Sequence, residues 1–223
     1  LKIQMDKQKY GYSTKLLLSN SDQQKVWNIR KAGLGLMMSA PGDYKAIPFV
    51  EDTAVDPKVL PEFVREFDQI VRDHDTEAGY YGHASVGCLH IRPLINLKDK
   101  SEVAKMKSIS KEITDLVIKF GDSISGEHGD GLVRSYWNKK MFGEKIYKAF
   151  KELKYSFDPN KLMNPGKIVD AQEIDENLRI NPEYKTKKIK TGFNFDKELG
   201  FASAIEMCNG QAACRKVTSG VMC

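Results

Sequence analysis

Apolar residues recur at helical spacing in several long stretches of the chain. They return every three or four positions over 57–73, 101–120 and 138–157. This spacing places the apolar side chains on one face of a helix, so each stretch predicts an amphipathic helix. A further helix is predicted over 22–37, where Asp22 is a suitable residue to cap its first turn.

Shorter apolar or alternating runs lie between these stretches and predict β-strands. They cover 15–19, 46–50 and 79–92, and the last run contains Gly87, which is typical of a bulge or a tight turn. Strands and helices therefore follow one another without the glycine fingerprint of a dinucleotide-binding fold. The predicted fold class is α+β, with an antiparallel sheet covered by helices.

Composition and charge narrow the functional classes. Of the 223 residues, 41% are hydrophobic and 29% charged, which is typical of a globular protein. No apolar run approaches the roughly 18 residues that span a bilayer. The net charge of +5 is mild, and the lysine run over 185–190 favours a solvated linker over a nucleic-acid site.

The changes in composition along the chain predict three segments. We expect a main domain over 1–170, a polar linker over 171–200 and a different, cysteine-containing segment over 201–223. The chain begins with Leu, and we interpret it as a piece of a longer protein.

Two histidines and a glutamate have the chemistry of a metal site. His83 and His90 lie seven residues apart, an offset that places them on opposite faces of a single strand. A turn at Gly87 would bring both imidazoles to one point. With the carboxylate of Glu127 they would form a set that suits Zn²⁺ or another first-row divalent ion. The alternative is that both histidines are ordinary, half-buried strand residues.

The second candidate is the glycine-rich segment around Glu127 and His128. Neighbouring side chains point to different sides of an extended backbone, so a Glu127 that faces a metal leaves His128 facing elsewhere. There His128 is a candidate general base near neutral pH. The alternative is an ordinary surface loop with an exposed histidine.

An arginine on the first long predicted helix is a candidate for binding a carboxylate. Arg30 follows apolar residues of this helix, so it would bury its stem and pair either with a protein carboxylate or with a ligand. Glu51 and Asp52, which follow the 46–50 strand, are possible protein partners.

The cysteines are concentrated at one end of the chain. Cys88 stands apart, whereas Cys208, Cys214 and Cys223 lie within the last sixteen residues. Four cysteines would allow two disulfides in a secreted domain. The clustering of three of them instead favours metal ligands in a reducing compartment, which predicts a cytoplasmic location, either free or peripheral at the inner face of the membrane.

Three ordered motifs carry a resemblance to a known family. HASVGCLHIRP begins at His83, SGEHGDGLVRS at Ser125 and FDPNKLMNPGKIV at Phe157. Together they resemble the C-terminal cap domain of FAD-linked oxidases of the vanillyl-alcohol-oxidase type. The branch is that of the D-2-hydroxyacid dehydrogenases, which includes glycolate oxidase, D-lactate dehydrogenase and D-2-hydroxyglutarate dehydrogenase. The last segment resembles the start of a 4Fe–4S module fused to long members.

The resemblance implies specific roles. His83, His90 and Glu127 match divalent-metal ligands, and His128 matches the active-site base near the flavin. Arg30 matches an arginine that binds the substrate carboxylate. Asn164 lies in the N-P-G-K turn that approaches the flavin. Cys208, Cys214 and Cys223 match cluster ligands.

The implied reaction is oxidation of a 2-hydroxy acid by hydride transfer to FAD, with electrons passed onward to a 4Fe–4S cluster. The resemblance covers the cap and not the FAD-binding domain, so this chain alone is expected to be inactive. The family pattern H-x-G-D-G-N-x-H has Ser85, Val86 and Cys88 at three of its positions, which leaves the particular hydroxy acid open. The alternative function is a metal-binding or scaffold module without redox chemistry.

Overall fold

The computed structural model describes residues 2–208, 210, 212–215 and 217. Contacts between residues divide the chain into two units, one comprising Leu1–Ala40 and Met207–Cys223, the other Pro41–Glu206. The predicted division near residues 170 and 200 stays a prediction.

The first unit contains the helices α1 (Lys2–Gln8) and α2 (Asn20–Met38). The hydroxyl of Ser19 caps α2 by accepting the backbone N–H of Asp22 at 3.2 Å. The helix therefore begins before Asp22, which lies in its first turn, where a carboxylate complements the helix dipole.

The strand predicted over 15–19 is wrong. These residues form no regular structure, and the side chains of Leu16 and Leu18 are 60% and 79% exposed. A strand is stabilised by a paired neighbour and a buried face, and this apolar run has neither within the described residues.

An antiparallel sheet organises the second unit, which confirms the predicted fold class. Its strands are β1 (Lys45–Ala46), β2 (Thr53–Ala54), β3 (Ala78–His83) and β4 (Cys88–Ile95). Strand β4 is central: β3 pairs along one side of it, while the two-residue strands β1 and β2 pair with its two ends on the other.

Five α-helices are described in this unit; the three long ones lie in stretches where the apolar spacing predicts them, and the two short ones were not predicted. They are α3 (Leu60–Asp73), α4 (Lys100–Phe120), α5 (Gly131–Arg134), α6 (Asn138–Phe157) and α7 (Phe201–Glu206). Helix α6 is interrupted at Gly143, whose φ of 75° lies outside the helical region. The three long amphipathic helices are thus confirmed, with α3 beginning at Leu60 rather than at 57.

The two faces of β4 serve different purposes. Its odd-numbered residues Ile91 and Ile95 are fully buried in the same core as Phe63 and Phe67 of α3 and Ile109 of α4. Side chains alternate along a strand, so the even-numbered residues point to the opposite face. These include Cys88, His90 and Arg92, and they form the floor of the candidate site.

Candidate functional site

The hairpin of β3 and β4 places the predicted histidines on one face of the sheet. His83 pairs directly with Cys88 across the hairpin, and His90 lies two residues further along the strand from Cys88. Cross-strand partners share a face of the sheet, as do residues two apart on one strand. Because the chain reverses between His83 and His90, both side chains lie on the same face despite their odd separation in sequence. The rings of His83 and His90 have centroids 5.4 Å apart.

Gly87 makes this reversal possible. Its φ is +71°, and a Cβ added there would lie 1.7 Å from the carbonyl oxygen of Val55. No side chain fits that gap, so only glycine at this position lets the hairpin pack against the segment that follows β2.

Three imidazoles surround a single carboxylate oxygen. Glu127 Oε1 lies 2.9 Å from His90 Nε2, 3.1 Å from His128 Nε2 and 3.4 Å from His83 Nε2. The structure therefore brings together His83, His90 and Glu127. The expectation that His128 faces away from Glu127 is wrong, because the loop curls back and stacks the ring of His128 on that of His90 at 4.7 Å.

The cluster has a buried side and an open side. His90 is 2% exposed, while the side chains of His83, His128 and Glu127 are each 40% to 45% exposed. Burial, and secondarily the neighbouring His128, lower the pKa of His90. A neutral imidazole is the form that binds metal. The open side gives a small solute access to the other three groups.

Asp52 anchors the glycine-rich loop. Its carboxylate accepts the backbone N–H groups of Glu127 at 3.0 Å and His128 at 2.8 Å, and the hydroxyl of Ser125 at 3.0 Å. Burial acts to raise the pKa of Asp52, but these hydrogen bonds outweigh it and hold that pKa below its usual value. The backbone of Asp52 is also unusual, with a φ of +76°.

A buried ion pair lies next to the Nδ1 side of His128. Glu51 Oε1 lies 3.5 Å from His128 Nδ1, and the other oxygen of Glu51 pairs with Arg92. Arg134 donates to the carbonyl oxygens of Glu51 at 3.2 Å and of Gly129 at 3.1 Å. The sequence offered Glu51 as a partner for Arg30 and did not indicate Arg92. Arg92 could have been found, because it follows His90 by two residues and so lies on the same face of the strand.

The donor atoms fit a divalent ion. Two groups of residues each offer one ligand atom within 4.8 Å of the others: Asp52, Cys88, His90 and Glu127 in one, and Glu51, His90 and His128 in the other. His83 belongs to neither group, although its nitrogen is within reach of Glu127. His90 Nδ1 is buried without a hydrogen-bond partner. Imidazole nitrogens with a carboxylate oxygen are the ligands that Zn²⁺ and similar ions prefer.

Asn164 lies at a separate groove. Its φ is +45°, its side chain is exposed, and it lines an open groove of about 600 Å³ together with Leu153, Phe157 and Met163. These three apolar side chains are themselves more than half exposed. None of the imidazoles lines this groove, and the predicted cofactor contacts of Asn164 and His128 stay predictions.

Asp158 shapes the turn that leads to Asn164. Its carboxylate accepts the backbone N–H groups of Leu162 at 2.7 Å and Met163 at 3.0 Å, and it pairs with Lys154 at 2.6 Å. The contact with Lys154 is the main reason that the pKa of Asp158 lies below its usual value. Its contribution is therefore complete above about pH 4 and is lost as the pH falls through the lowered pKa.

Replacement of Asp158 by Ala is expected to loosen this turn. Each amide loses a charged acceptor worth about 1.5 kcal/mol or more, so amide hydrogen exchange at Leu162 and Met163 should accelerate about tenfold. Exchange followed by mass spectrometry measures this, with Asp196→Ala in a different turn as the control. Unchanged exchange at both amides in Asp158→Ala would show that the carboxylate does not hold the turn.

The remaining predicted site residues lie in the first unit. Arg30 is on α2, and its role in binding a substrate carboxylate stays a prediction. Cys208 and Cys214 are exposed, free cysteines, and Cys223 lies outside the described residues. Their role as ligands of a 4Fe–4S cluster also stays a prediction.

Comparison with known proteins identifies the family. Residues 7–168 match the family of FAD linked oxidases, C-terminal domain, and the chain belongs to this family. It is 36% identical over 193 residues to a D-2-hydroxyglutarate dehydrogenase of Haemophilus influenzae, and 39% identical over 197 residues to a protein of the same name from Pantoea ananatis. Each match covers 86% of this chain.

A more distant relative has a different named substrate. The chain is 28% identical over 151 residues, 68% of its length, to a D-lactate dehydrogenase of Archaeoglobus fulgidus, of which it covers 32%. It spans only 18% of the length of both the Haemophilus and the Pantoea proteins. Within the described residues, every helix is too short or too polar to cross a bilayer.

Proposed function

We propose that this chain is the substrate-binding cap of a flavin-dependent D-2-hydroxyacid dehydrogenase. The observation that supports this most is the convergence of His83, His90 and His128 on the carboxylate of Glu127, in a chain of the FAD-linked oxidase family. His83, His90 and Glu127 would hold a divalent ion. When bound, that ion would supply a Lewis acid for the hydroxyl oxygen of the substrate, and FAD would supply the hydride acceptor.

The residues of this chain supply the proton transfer. His128 lies between two carboxylates, with Nε2 3.1 Å from Glu127 and Nδ1 3.5 Å from Glu51. With Glu127 turned to the ion, the charge of Glu51 would favour a proton on Nδ1 and leave Nε2 as the basic atom. His128 Nε2 then accepts the hydroxyl proton of the hydroxy acid, and the charge formed on the ring is balanced by Glu51. The half-exposed ring of His128 is accessible to such a substrate.

The identity of the substrate and the route of the electrons belong to the same proposal. The names of the relatives favour D-2-hydroxyglutarate, with D-lactate and glycolate as the other candidates. We propose that Arg30 binds the substrate carboxylate and that Asn164 contacts the flavin. Cys208, Cys214 and Cys223 would contribute to a 4Fe–4S cluster that receives the electrons, in the cytoplasm or at the inner face of the membrane.

The test is anaerobic flavin reduction by the complete protein that carries this chain. D-2-hydroxyglutarate, D-lactate and glycolate are mixed separately with the oxidised protein, and bleaching of the flavin is followed by stopped flow. One of the three should bleach the flavin within the turnover time, and its L-enantiomer or a 2-deoxy analogue should not. If the complete protein contains no flavin, the alternative of a metal-binding or scaffold module holds instead.

Loss of a metal ligand is expected to empty the site. His90→Ala removes the most buried imidazole of the cluster, so zinc affinity should fall by more than about tenfold, since even residues beyond the direct ligands change metal affinity by 10- to 100-fold. Competition with a chelator measures this affinity. His74→Ala is the matched control, because His74 pairs with Glu112 away from the cluster. Equal zinc affinity in both variants would contradict the site.

A further inference from the structure

Cys88 occupies a position inside the cluster that the proposed metal site does not use. It is the first residue of β4, it faces His83 across the hairpin, and it lies on the same face as His90. It is 5% exposed, and the only hydrogen bond described for its thiol is a long one, 3.6 Å to Asp52 Oδ1.

The sulfur lies in one close group with two of the expected ligands. The ligand atoms of Cys88, His90 and Glu127 all lie within 4.8 Å of one another, as does that of Asp52. His83 belongs to no such group. Of the three imidazole nitrogens around Glu127, that of His83 is the most distant.

Asp52 does not compete with Cys88 for this role. Both of its oxygens already accept hydrogen bonds from the backbone of the glycine-rich loop, and that loop would have to open before Asp52 turned to an ion. The carboxylate of Glu127 accepts no such backbone bond in the described structure and is free to turn.

The loop also leaves room for the sulfur. A Cβ on Gly126 would lie 2.9 Å from Cys88 Sγ, which is closer than such contacts occur. Glycine at 126 therefore lets the backbone pass over Cys88 without a side chain between the sulfur and the cluster. His90 is 2% exposed and turns its Nε2 toward Glu127 Oε1 at 2.9 Å, so a buried imidazole, a carboxylate and a thiol converge within a span that one ion can bridge.

We propose that Cys88 is a ligand of the bound ion, so that His90, Glu127 and Cys88 form its inner set and His83 completes it from the open side. On binding, the thiol proton leaves to solvent and the thiolate bonds to the metal. A thiolate favours Zn²⁺ and other thiophilic ions over Mg²⁺ or Mn²⁺. This inference rests on the proposed function, since it concerns the same ion.

X-ray absorption at the zinc edge tests the inference directly. The chain is loaded with one equivalent of zinc in a Cys208→Ser, Cys214→Ser, Cys223→Ser background, in which Cys88 is the remaining cysteine. We expect one sulfur at about 2.3 Å, next to nitrogen and oxygen at about 2.0 Å. Adding Cys88→Ser, which keeps a donor to Asp52, should remove the sulfur shell and weaken zinc binding about tenfold or more. Cobalt(II) loading gives a second readout, because thiolate coordination produces charge-transfer absorption in the near ultraviolet.

The outcomes separate this inference from the proposed function. Zinc that binds with nitrogen and oxygen alone overturns the role of Cys88 but leaves the metal site standing, provided that His90→Ala abolishes the binding. Zinc binding that is indifferent to His90→Ala overturns both. The decisive spectrum comes from protein with an intact Cys88, so it does not depend on whether the serine variant folds.

Discussion

Replacement of His128 by Ala is expected to slow flavin reduction about a hundredfold in the complete protein, with little change in substrate binding. General bases contribute about 10² to 10⁴ in rate, and the placement of His128 makes it the best candidate for this role. Its Nε2 lies 3.1 Å from the proposed metal ligand Glu127, and its Nδ1 lies 3.5 Å from Glu51 Oε1. Single-turnover stopped flow across a range of substrate concentrations separates the rate from the affinity.

Two further variants make this result specific. His74→Ala changes a histidine that pairs with Glu112 outside the cluster, and it should reduce flavin at the normal rate. His90→Ala should also lose activity, but together with the metal, whereas His128→Ala should retain the metal. Flavin reduction at the normal rate in His128→Ala would remove His128 from the reaction.

Periodicity in the sequence predicts the elements that carry their own apolar face. Helices α3 and α4 fall where the spacing of apolar residues places them, because each buries a stripe of its own side chains. Helix α6 also lies where the spacing predicts it, although its apolar residues Ile146 and Leu153 are 48% and 61% exposed. Strands β1 and β2 are different, since each has only two residues and is held by pairing with β4. The run over 15–19 looks more like a strand than either of them, yet no strand pairs with it in the described structure.

Some contacts of the site join residues close in the sequence, and others join residues far apart in it. His83 and His90 belong to one hairpin, so a turn signal at Gly87 suffices to suggest that they meet. Asp52 and Cys88 are 36 residues apart, and their contact depends on the pairing of β2 with the start of β4. No spacing rule predicts such a contact, so the sequence alone does not indicate that Asp52 and Cys88 meet.

The fixed position of Glu127 and His128 depends on Asp52 more than on any other side chain of the loop. Its carboxylate accepts hydrogen bonds from the backbone amides of both residues, and its carbonyl oxygen accepts the N–H of Gly126 at 2.7 Å. Three consecutive residues of the loop are thus held by the one residue that immediately precedes β2. Metal binding and proton transfer should therefore fail together when Asp52 is lost.

Asp52→Gly is accordingly expected to lower the free energy of unfolding by about 3 kcal/mol, because the partly buried amides of Glu127 and His128 each lose a charged acceptor. Glycine accepts the φ of +76° at this position, so the substitution adds no backbone strain. Asn also tolerates this conformation and keeps one acceptor oxygen, and Asp52→Asn should therefore be destabilised by only about half as much. Urea unfolding measures both variants, and chelator competition should show weaker zinc binding in the same order. A glycine variant within about 0.5 kcal/mol of the original protein would mean that the loop is held by other contacts, because changes of that size are typical of surface positions.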